Sequence, residues 1–479
     1  MTDKGDSKAR RVIKNTAWLF SASLLAKLVS LALMIVIARG LGDSAFGWFT
    51  LALSVSQIFI ISADLGVTFL SMRDIARDRT IIARYLGGFA VLKFALSAAS
   101  LIAVVAAANI LGYPTEVRRI IYILYAYLIL ASLAGLLRSA FLGSELMSYD
   151  AALTLAERLA VVVPALGALW LGYGVHGVAV SYLIGGAVNL VASLYLVGTR
   201  FGWPRFHVDW DFLLASLREA YPFALVGVFS MLFLYVDTVI LEQYRGEREV
   251  GLYSAAFGLI HHLRVVPSAF LGAAFPVMAR AFGGGSGSSG RIYAKSFKMV
   301  LALGVPLSAG GFMLAPDIIR LIYGEGFMGA AAPFRVLIVS AWVFYLNGLF
   351  GYFLLSLDRQ KANLVMIIIA TALNIVLNFA LVPSHGYMGA AWATLLSELA
   401  VFVMSLAVIH RCGYGYLPWG PAARSLAASG VMAAFLSLPG VINVAVLVAG
   451  GACVYFLALT AFRFFDAEDR GLLREVLGR

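Results

Sequence analysis

An all-α polytopic membrane protein is the fold class this sequence predicts, and three observations carry the prediction. The 479-residue chain is 62% hydrophobic and 13% charged, against roughly half and about a quarter in soluble domains. Apolar runs follow one another almost without interruption from Thr16 to Phe464, and a run of roughly 20 residues is enough for a helix to cross a hydrocarbon core about 30 Å thick. Lys and Arg are also spread unevenly about those runs, as the positive-inside rule requires of a multi-pass protein.

Taking charge, Gly and Pro as boundaries gives about fourteen spans. The first six are predicted at 16–38, 48–70, 85–109, 119–141, 152–171 and 175–198, and the next six at 218–241, 250–276, 297–318, 333–356, 362–382 and 386–409. A last pair falls near 422–438 and 441–463. The polar start, Met1 to Lys14, precedes a full-length span without a small-residue cleavage site, so the first helix is expected to be retained. Cys412 and Cys453 match no metal-ligand spacing and are expected to be packing residues.

With the N-terminus in the cytoplasm, 25 of the 36 Lys and Arg lie in inner segments. Seven lie outside (Arg39, Arg118, Arg119, Arg245, Arg248, Arg320, Arg335) and four within spans (Lys27, Lys93, Arg158, Arg264). Both termini are therefore expected in the cytoplasm of an inner (plasma) membrane protein, and the net charge of +11 belongs to the lipid surface rather than to nucleic acid. Outer loops are short, and Gly283 to Gly290 (GGGSGSSG) has the composition of a flexible tether. No extramembrane segment is large enough for a catalytic domain, and neither a phosphate-binding GxxxxGK[ST] loop nor an HExxH zinc motif is present.

A faint internal repeat divides the chain. The run from Gly174 to Leu183 matches that from Gly386 to Leu395, 212 residues on, and Gly47 to Ala52 resembles Gly251 to Ala256 at an offset of 204. Two pseudo-symmetric six-helix lobes follow. The first covers residues 1–200 (spans 1–6) and the second 218–410 (spans 7–12), joined by a basic cytoplasmic linker at 201–217 and followed by two accessory helices and a tail at 411–479.

Ionisable residues inside a span are costly and usually face a cavity or a partner. Thr16, Ser23, Lys27 and Ser30 share one face of the first span; Thr50, Ser54, Gln57, Asp64 and Thr68 share one face of the second. Tyr253, Phe257, His261, Arg264 and Ser268 do the same on the eighth. Lys27 and Arg264 are the pair expected to hold a diphosphate, because a guanidinium fork and a lysine point charge are strong anion ligands away from bulk water. His261, Tyr253, Ser23 and Gln57 complete the expected substrate-binding set. The alternative for Lys27 is an ion pair with Asp64. Asp64, Asp237 and Glu398 are the coupling or gating candidates, since a buried carboxylate can carry a proton. Interhelical bonding is the competing role for Glu398, Lys93 and the neighbours Glu157 and Arg158. Asn363, Thr371, Asn374 and Asn378 read as helix-packing glue. Asp209-Trp210-Asp211 has the form of a DxD metal motif, but it is better explained as an interfacial helix start.

Several segments together resemble the polysaccharide transporter (Wzx-type) oligosaccharide flippases. They are Arg39-Gly-Leu-Gly42 with Phe46-Gly47, Asp64-Leu-Gly66 with Arg73, Val250 to Ala256, Pro267 and Pro276, and Gly386 with Gly389 to Thr394. That family belongs to the multidrug/oligosaccharidyl-lipid/polysaccharide (MOP) exporter superfamily, which also holds lipid II flippases and MATE drug exporters. The resemblance implies two lobes around a cavity that opens alternately to each side. It also implies a transporter rather than an enzyme, moving a polyprenyl-diphosphate oligosaccharide for cell-surface polysaccharide such as O-antigen or capsule. No cofactor is implied, and the drive would be an H+ or Na+ gradient. Membrane lipids, a glycan polymerase and glycosyltransferases are the partners of such a cycle. Lys27 and Arg264 look like the cavity arginines of the similar lipid II flippases, whose other basic residues have no counterpart here. A cationic midplane argues against a MATE-type cation exporter.

Overall fold

The computed structural model describes residues 3–204, 209–263, 286–357, 359–414, 419–438 and 443–465, with side chains for these except 3–24, 210, 222 and 286–292. It is helical throughout, as a chain whose backbone groups must be satisfied within lipid has to be. Its contacts divide it into two compact units, Met1–Ser254 and Ala255–Arg479. Among the described residues, eleven helical stretches are long and apolar enough to cross a membrane.

The first unit holds α1 (Asp3–Asp64), α2 (Val67–Arg77), α3 (Ile82–Ile110), α4 (Thr115–Gly143), α5 (Met147–Trp170), α6 (Gly174–Phe201), α7 (Trp210–Arg245) and the start of α8 (Glu247–Leu263). The long α1 covers the first two predicted spans, which meet at a break where Gly42 takes φ 77° and ψ 173°. The second predicted span ends at Asp64 instead of running on to 70, because Leu65 and Gly66 both adopt positive φ. The core of this unit is aromatic and aliphatic: Phe89, Phe141, Leu86, Leu136 and Leu213 are fully buried together.

The second unit holds the rest of α8, then α9 (Ser286–Met313), α10 (Ala315–Tyr323), α11 (Ala331–Ser356), α12 (Gln360–His385), α13 (Tyr387–Arg411), α14 (Trp419–Leu436) and α15 (Val444–Ala461). The ninth predicted span, 297–318, stops at Met313 and a separate short helix opens at Ala315, with Pro316 in its first turn, where a missing N–H does no harm. Ser286 to Gly290 is helical, so the tether reading fails for those five residues. The start of α9 propagates from the apolar stretch behind it and overrides the roughly 1 kcal/mol that each Gly loses in a helix. Gly283 to Gly285 lie outside the described residues, as does the second half of the eighth predicted span.

Six turns that the charge pattern puts on one side of the membrane are each made by a glycine with left-handed backbone: Gly42, Gly112, Gly172, Gly246, Gly324 and Gly386. Gly246 follows Gly42 by 204 residues and Gly324 follows Gly112 by 212, the same offsets as the sequence repeat. Exposed aromatics mark both ends of a membrane-sized slab. Trp170 (87% exposed) and Tyr173 precede α6 and Trp203 follows it, and the 28 residues of α6 span about 40 Å at 1.5 Å per residue.

Candidate functional site in the membrane interior

Apolar surface drives helices into lipid but not against one another there, so polar bonds and close backbone contacts must specify the packing. Four polar clusters do so. In the first, Lys93 on α3 is 1% exposed and its ammonium lies 2.5 Å from an Asp64 carboxylate oxygen. It also donates to Thr68 Oγ1 at 2.9 Å and to the Ser132 carbonyl at 2.8 Å, and Thr68 in turn donates to Asp64 Oδ1 at 2.5 Å. Asp64 is therefore paired with Lys93. The alternative ion pair with Lys27 does not form.

In the second cluster the Tyr253 hydroxyl donates to Asp237 Oδ2 at 2.7 Å, both residues being buried. Two residues expected in different roles, substrate contact and coupling, are thus bonded to each other. In the third, Glu157 on α5 accepts from Tyr127 on α4 at 3.1 Å and from Asn189 on α6 at 2.9 Å. Arg138 on α4 stands 4.0 Å from the same carboxylate and forms a 2.7 Å ion pair with Asp150. In the fourth, within the second unit, Asn347 Nδ2 donates to the Glu398 carboxylate at 2.8 Å and to its carbonyl at 3.0 Å.

Other expected residues fall elsewhere. Lys27 is exposed and has no ion pair among the described residues, and Gln57 is half-buried. His261 is exposed, with its ring 6.2 Å from that of Phe257. Arg264 lies outside the described residues, and Ser23 has a described backbone but no described side chain. Asp209 caps α7 by accepting from the Phe212 N–H at 3.1 Å and pairs with Arg84 at 3.0 Å, which accounts for it without a metal.

Three features escaped the sequence reading. At the start of the second arm of α1, a Cβ on Gly47 would lie 1.9 Å from the Glu247 carbonyl oxygen, while a Cβ on Gly251 would lie 1.9 Å from the Asp43 carbonyl oxygen. The contact is reciprocal, and each partner is 204 positions from its equivalent. Arg248 and Asp43 close it with a 2.9 Å ion pair. At the predicted cytoplasmic side Arg73 on α2 binds Glu219 on α7 at 2.7 Å and Asp74 at 2.8 Å. The guanidinium hydrogen bond holds the Glu219 carboxyl below its usual range, and the two carboxylates push Arg73 up. The third feature is an apolar, partly open cavity of about 690 Å³ in the second unit, walled by Phe297, Leu301, Trp342, Phe402, Trp419 and Leu426 among others. Helices α9, α11, α13 and α14 all contribute to it. The periodic placement of Asp64 and the in-span positions of Lys93, Asp237, Glu157 and Glu398 were visible in sequence; cross-helix partners such as Asn347 or Arg138 carry no local signal.

Long apolar helices with paired charges buried between them define a multi-pass membrane protein. Residues 12–282 match the polysaccharide biosynthesis protein family and residues 222–380 the MatE family. The first match covers more than half of the chain, and the protein belongs to the polysaccharide biosynthesis protein family, a transporter family and not one of enzymes. The chain is 25% identical to "Probable flippase AglR" of Haloferax volcanii over 52% of its own length and 54% of that relative, so it spans about half of AglR. It is 24% identical to "Probable low-salt glycan biosynthesis flippase Agl15" of the same organism over 84% of this chain and 85% of the relative. Among solved structures it resembles the lipid II flippase MurJ in an inward closed conformation, with a TM-score of 0.75 and 13% identity over 96% of this chain and all of the other. That likeness shows that the two chains share a fold.

Proposed function

We propose that the protein is a flippase that carries a lipid-diphosphate-linked oligosaccharide from the cytoplasmic to the outer leaflet for cell-surface polysaccharide assembly. The observation that carries this reading, beyond the family, is the partly open apolar cavity on α9, α11, α13 and α14. A hydrocarbon chain can lie against such a wall, whereas a hydrophilic drug gains nothing from it. Lys27 and Arg264 would meet the diphosphate, and Tyr253, His261, Ser23 and Gln57 the sugars. The headgroup would cross by alternating access, with both termini in the cytoplasm of the plasma membrane. The drive would be an H+ or Na+ gradient acting through Asp64, Asp237 or Glu398. The domain boundaries at 201–217 and 411 belong to the same reading.

The MatE match over residues 222–380 favours one rival, a multidrug or cation antiporter. Deleting the gene decides between them. The flippase reading expects surface glycan to be lost, the lipid-linked precursor to accumulate inside, and rescue by wild type but not by Arg264→Ala. Normal glycan export with new drug sensitivity would establish the antiporter instead. If Lys27→Ala and Arg264→Ala both export normally at normal expression, the diphosphate assignment is wrong.

A further inference from the structure

The α1–α2 break directly follows the apolar span that ends at Asp64 and has an unusual tie. Leu65 takes φ 44° and Gly66 φ 79°, two consecutive left-handed residues, and for a leucine that backbone is disfavoured and persists only where its surroundings hold it. A side chain on Gly66 would come within 3.1 Å of the Ala220 carbonyl and of Phe223 on α7, so the break is pressed against that helix. The last residue before the break is Asp64 and the first threonine after it is Thr68, and Lys93 binds both. Its remaining contact is the Ser132 carbonyl of α4. One ammonium therefore fastens the two sides of a strained break to two neighbouring helices.

Burying a charge pair is tolerable only while both partners are charged and close. Lys93 is 1% exposed and Asp64 23%, so Asp64 is the more accessible member of the pair. Among the described residues no other charged side chain bonds to either. The nearest charged groups along the same elements satisfy one another: Arg73 with Asp74 and Glu219, and Arg138 with Asp150. The α7 atoms nearest a Cβ on Gly66 belong to Ala220, Phe223 and Ala224, none of them a charged residue, and α4 contributes a carbonyl. Two buried serines follow on α3, neither of them bonded to the pair. Ser97, one turn beyond Lys93, is 4% exposed with an unpartnered Oγ. The next turn brings Ser100, whose hydroxyl meets Ser62 at 2.7 Å and also receives the Tyr125 hydroxyl.

We propose that Asp64 and Lys93 form a proton-operated latch on the α1–α2 break, in which one proton bound at Asp64 releases the break to change conformation during the transport cycle. The step is a proton transfer from hydronium to the carboxylate: one O–H bond of hydronium breaks, one forms on Asp64, a water molecule is left, and the pair passes from zero net charge to +1. Lys93 is then a buried, uncompensated cation, a state that favours any backbone arrangement able to hydrate it. The inference rests on the transporter reading above for its role, but not for its chemistry.

The test uses full-length protein in lipid nanodiscs and protons as the probe. Infrared difference spectra between alkaline and acidic buffer should contain a protonated-carboxyl band that is lost in Asp64→Asn and displaced in Asp64→Glu. In cells, the double variant Asp64→Asn/Lys93→Met, which removes both charges and keeps the site neutral, should reach the membrane and yet export at least about tenfold less glycan. A wild-type spectrum lacking a band that Asp64→Asn removes overturns the proposal. So does a double variant that exports at the wild-type rate in cells where gene deletion abolishes export, since the pair would then be a structural clasp. Normal export after gene deletion would defeat the flippase reading alone and leave the spectral result standing.

Discussion

Individual residues in this protein are constrained mainly by what they would leave behind if removed. Tyr253 donates to a buried Asp237, and a hydrogen bond to a charged group is worth about 1.5–3 kcal/mol. Tyr253→Phe should therefore lower thermal stability in detergent by a comparable amount, while Tyr253→Phe/Asp237→Asn should recover part of the loss; no measurable change in the single variant would show the bond to be dispensable. Glu219 behaves differently because it is solvated. Its carboxyl is held below its ordinary value of 4.5 by Arg73, so the tie between α2 and α7 is present above about 4.5 and is lost as pH falls through the depressed value. Amide protection in α2, taken relative to the intrinsic exchange rate at each pH, should fall under acid in the wild type, and Glu219→Gln should show the lowered protection already at neutral pH. A Glu219→Gln protein with wild-type exchange would mean that packing against α7, not the ion pair, holds α2.

At the scale of elements, the contact between the second arm of α1 and the start of α8 depends on two glycines whose hydrogens face backbone oxygens. Either Gly47→Ala or Gly251→Ala would put a methyl carbon 1.9 Å from a carbonyl oxygen, which backbone cannot avoid by a rotamer change. Overpacking of that kind costs about 1–3 kcal/mol, and each variant should melt correspondingly lower. By contrast Asp43→Asn breaks an ion pair whose Arg248 side chain is 73% exposed, and such pairs are worth about 0–1 kcal/mol. Equal stability of Gly47→Ala and wild type would show that α1 and α8 can move apart freely at this point. The reciprocity also gives the internal repeat a physical meaning: the 204-residue offset relates two glycines that occupy the same place in each other's environment.

For the whole molecule, the family is one of transporters, and what this chain moves is the proposal. A lipid-linked glycan should protect the reconstituted protein against thermal unfolding in proportion to its concentration. Trp419→Ala or Phe402→Ala in the wall of the apolar cavity should weaken that protection several-fold without changing the unliganded melting point by more than about 3–5 kcal/mol equivalent, the ceiling for aromatic truncation in a packed core. Equal protection by the free oligosaccharide would place recognition wholly in the polar groups and remove the cavity from the argument.

The sequence by itself determined what the solvent dictates. A chain so apolar can satisfy its backbone only as helices in lipid, and periodic apolar runs, charge asymmetry and Gly or Pro boundaries locate those helices because each is a local property. The motifs from Arg39 to Gly47 and from Val250 to Ala256 carried the family for the same reason. Tertiary structure alone decided which charges meet. Lys27, Lys93 and Asp64 lie on predicted spans with nothing local to say which cation the carboxylate takes, and the answer, Lys93, depends on α3 packing beside a helix that breaks at Leu65 and Gly66. Asn347 with Glu398, Tyr253 with Asp237, and the mutual seating of Gly47 and Gly251 were hidden likewise. Such pairs form between segments distant in the chain, and in a membrane polar bonds and close backbone contacts, not apolar burial, select one packing over another.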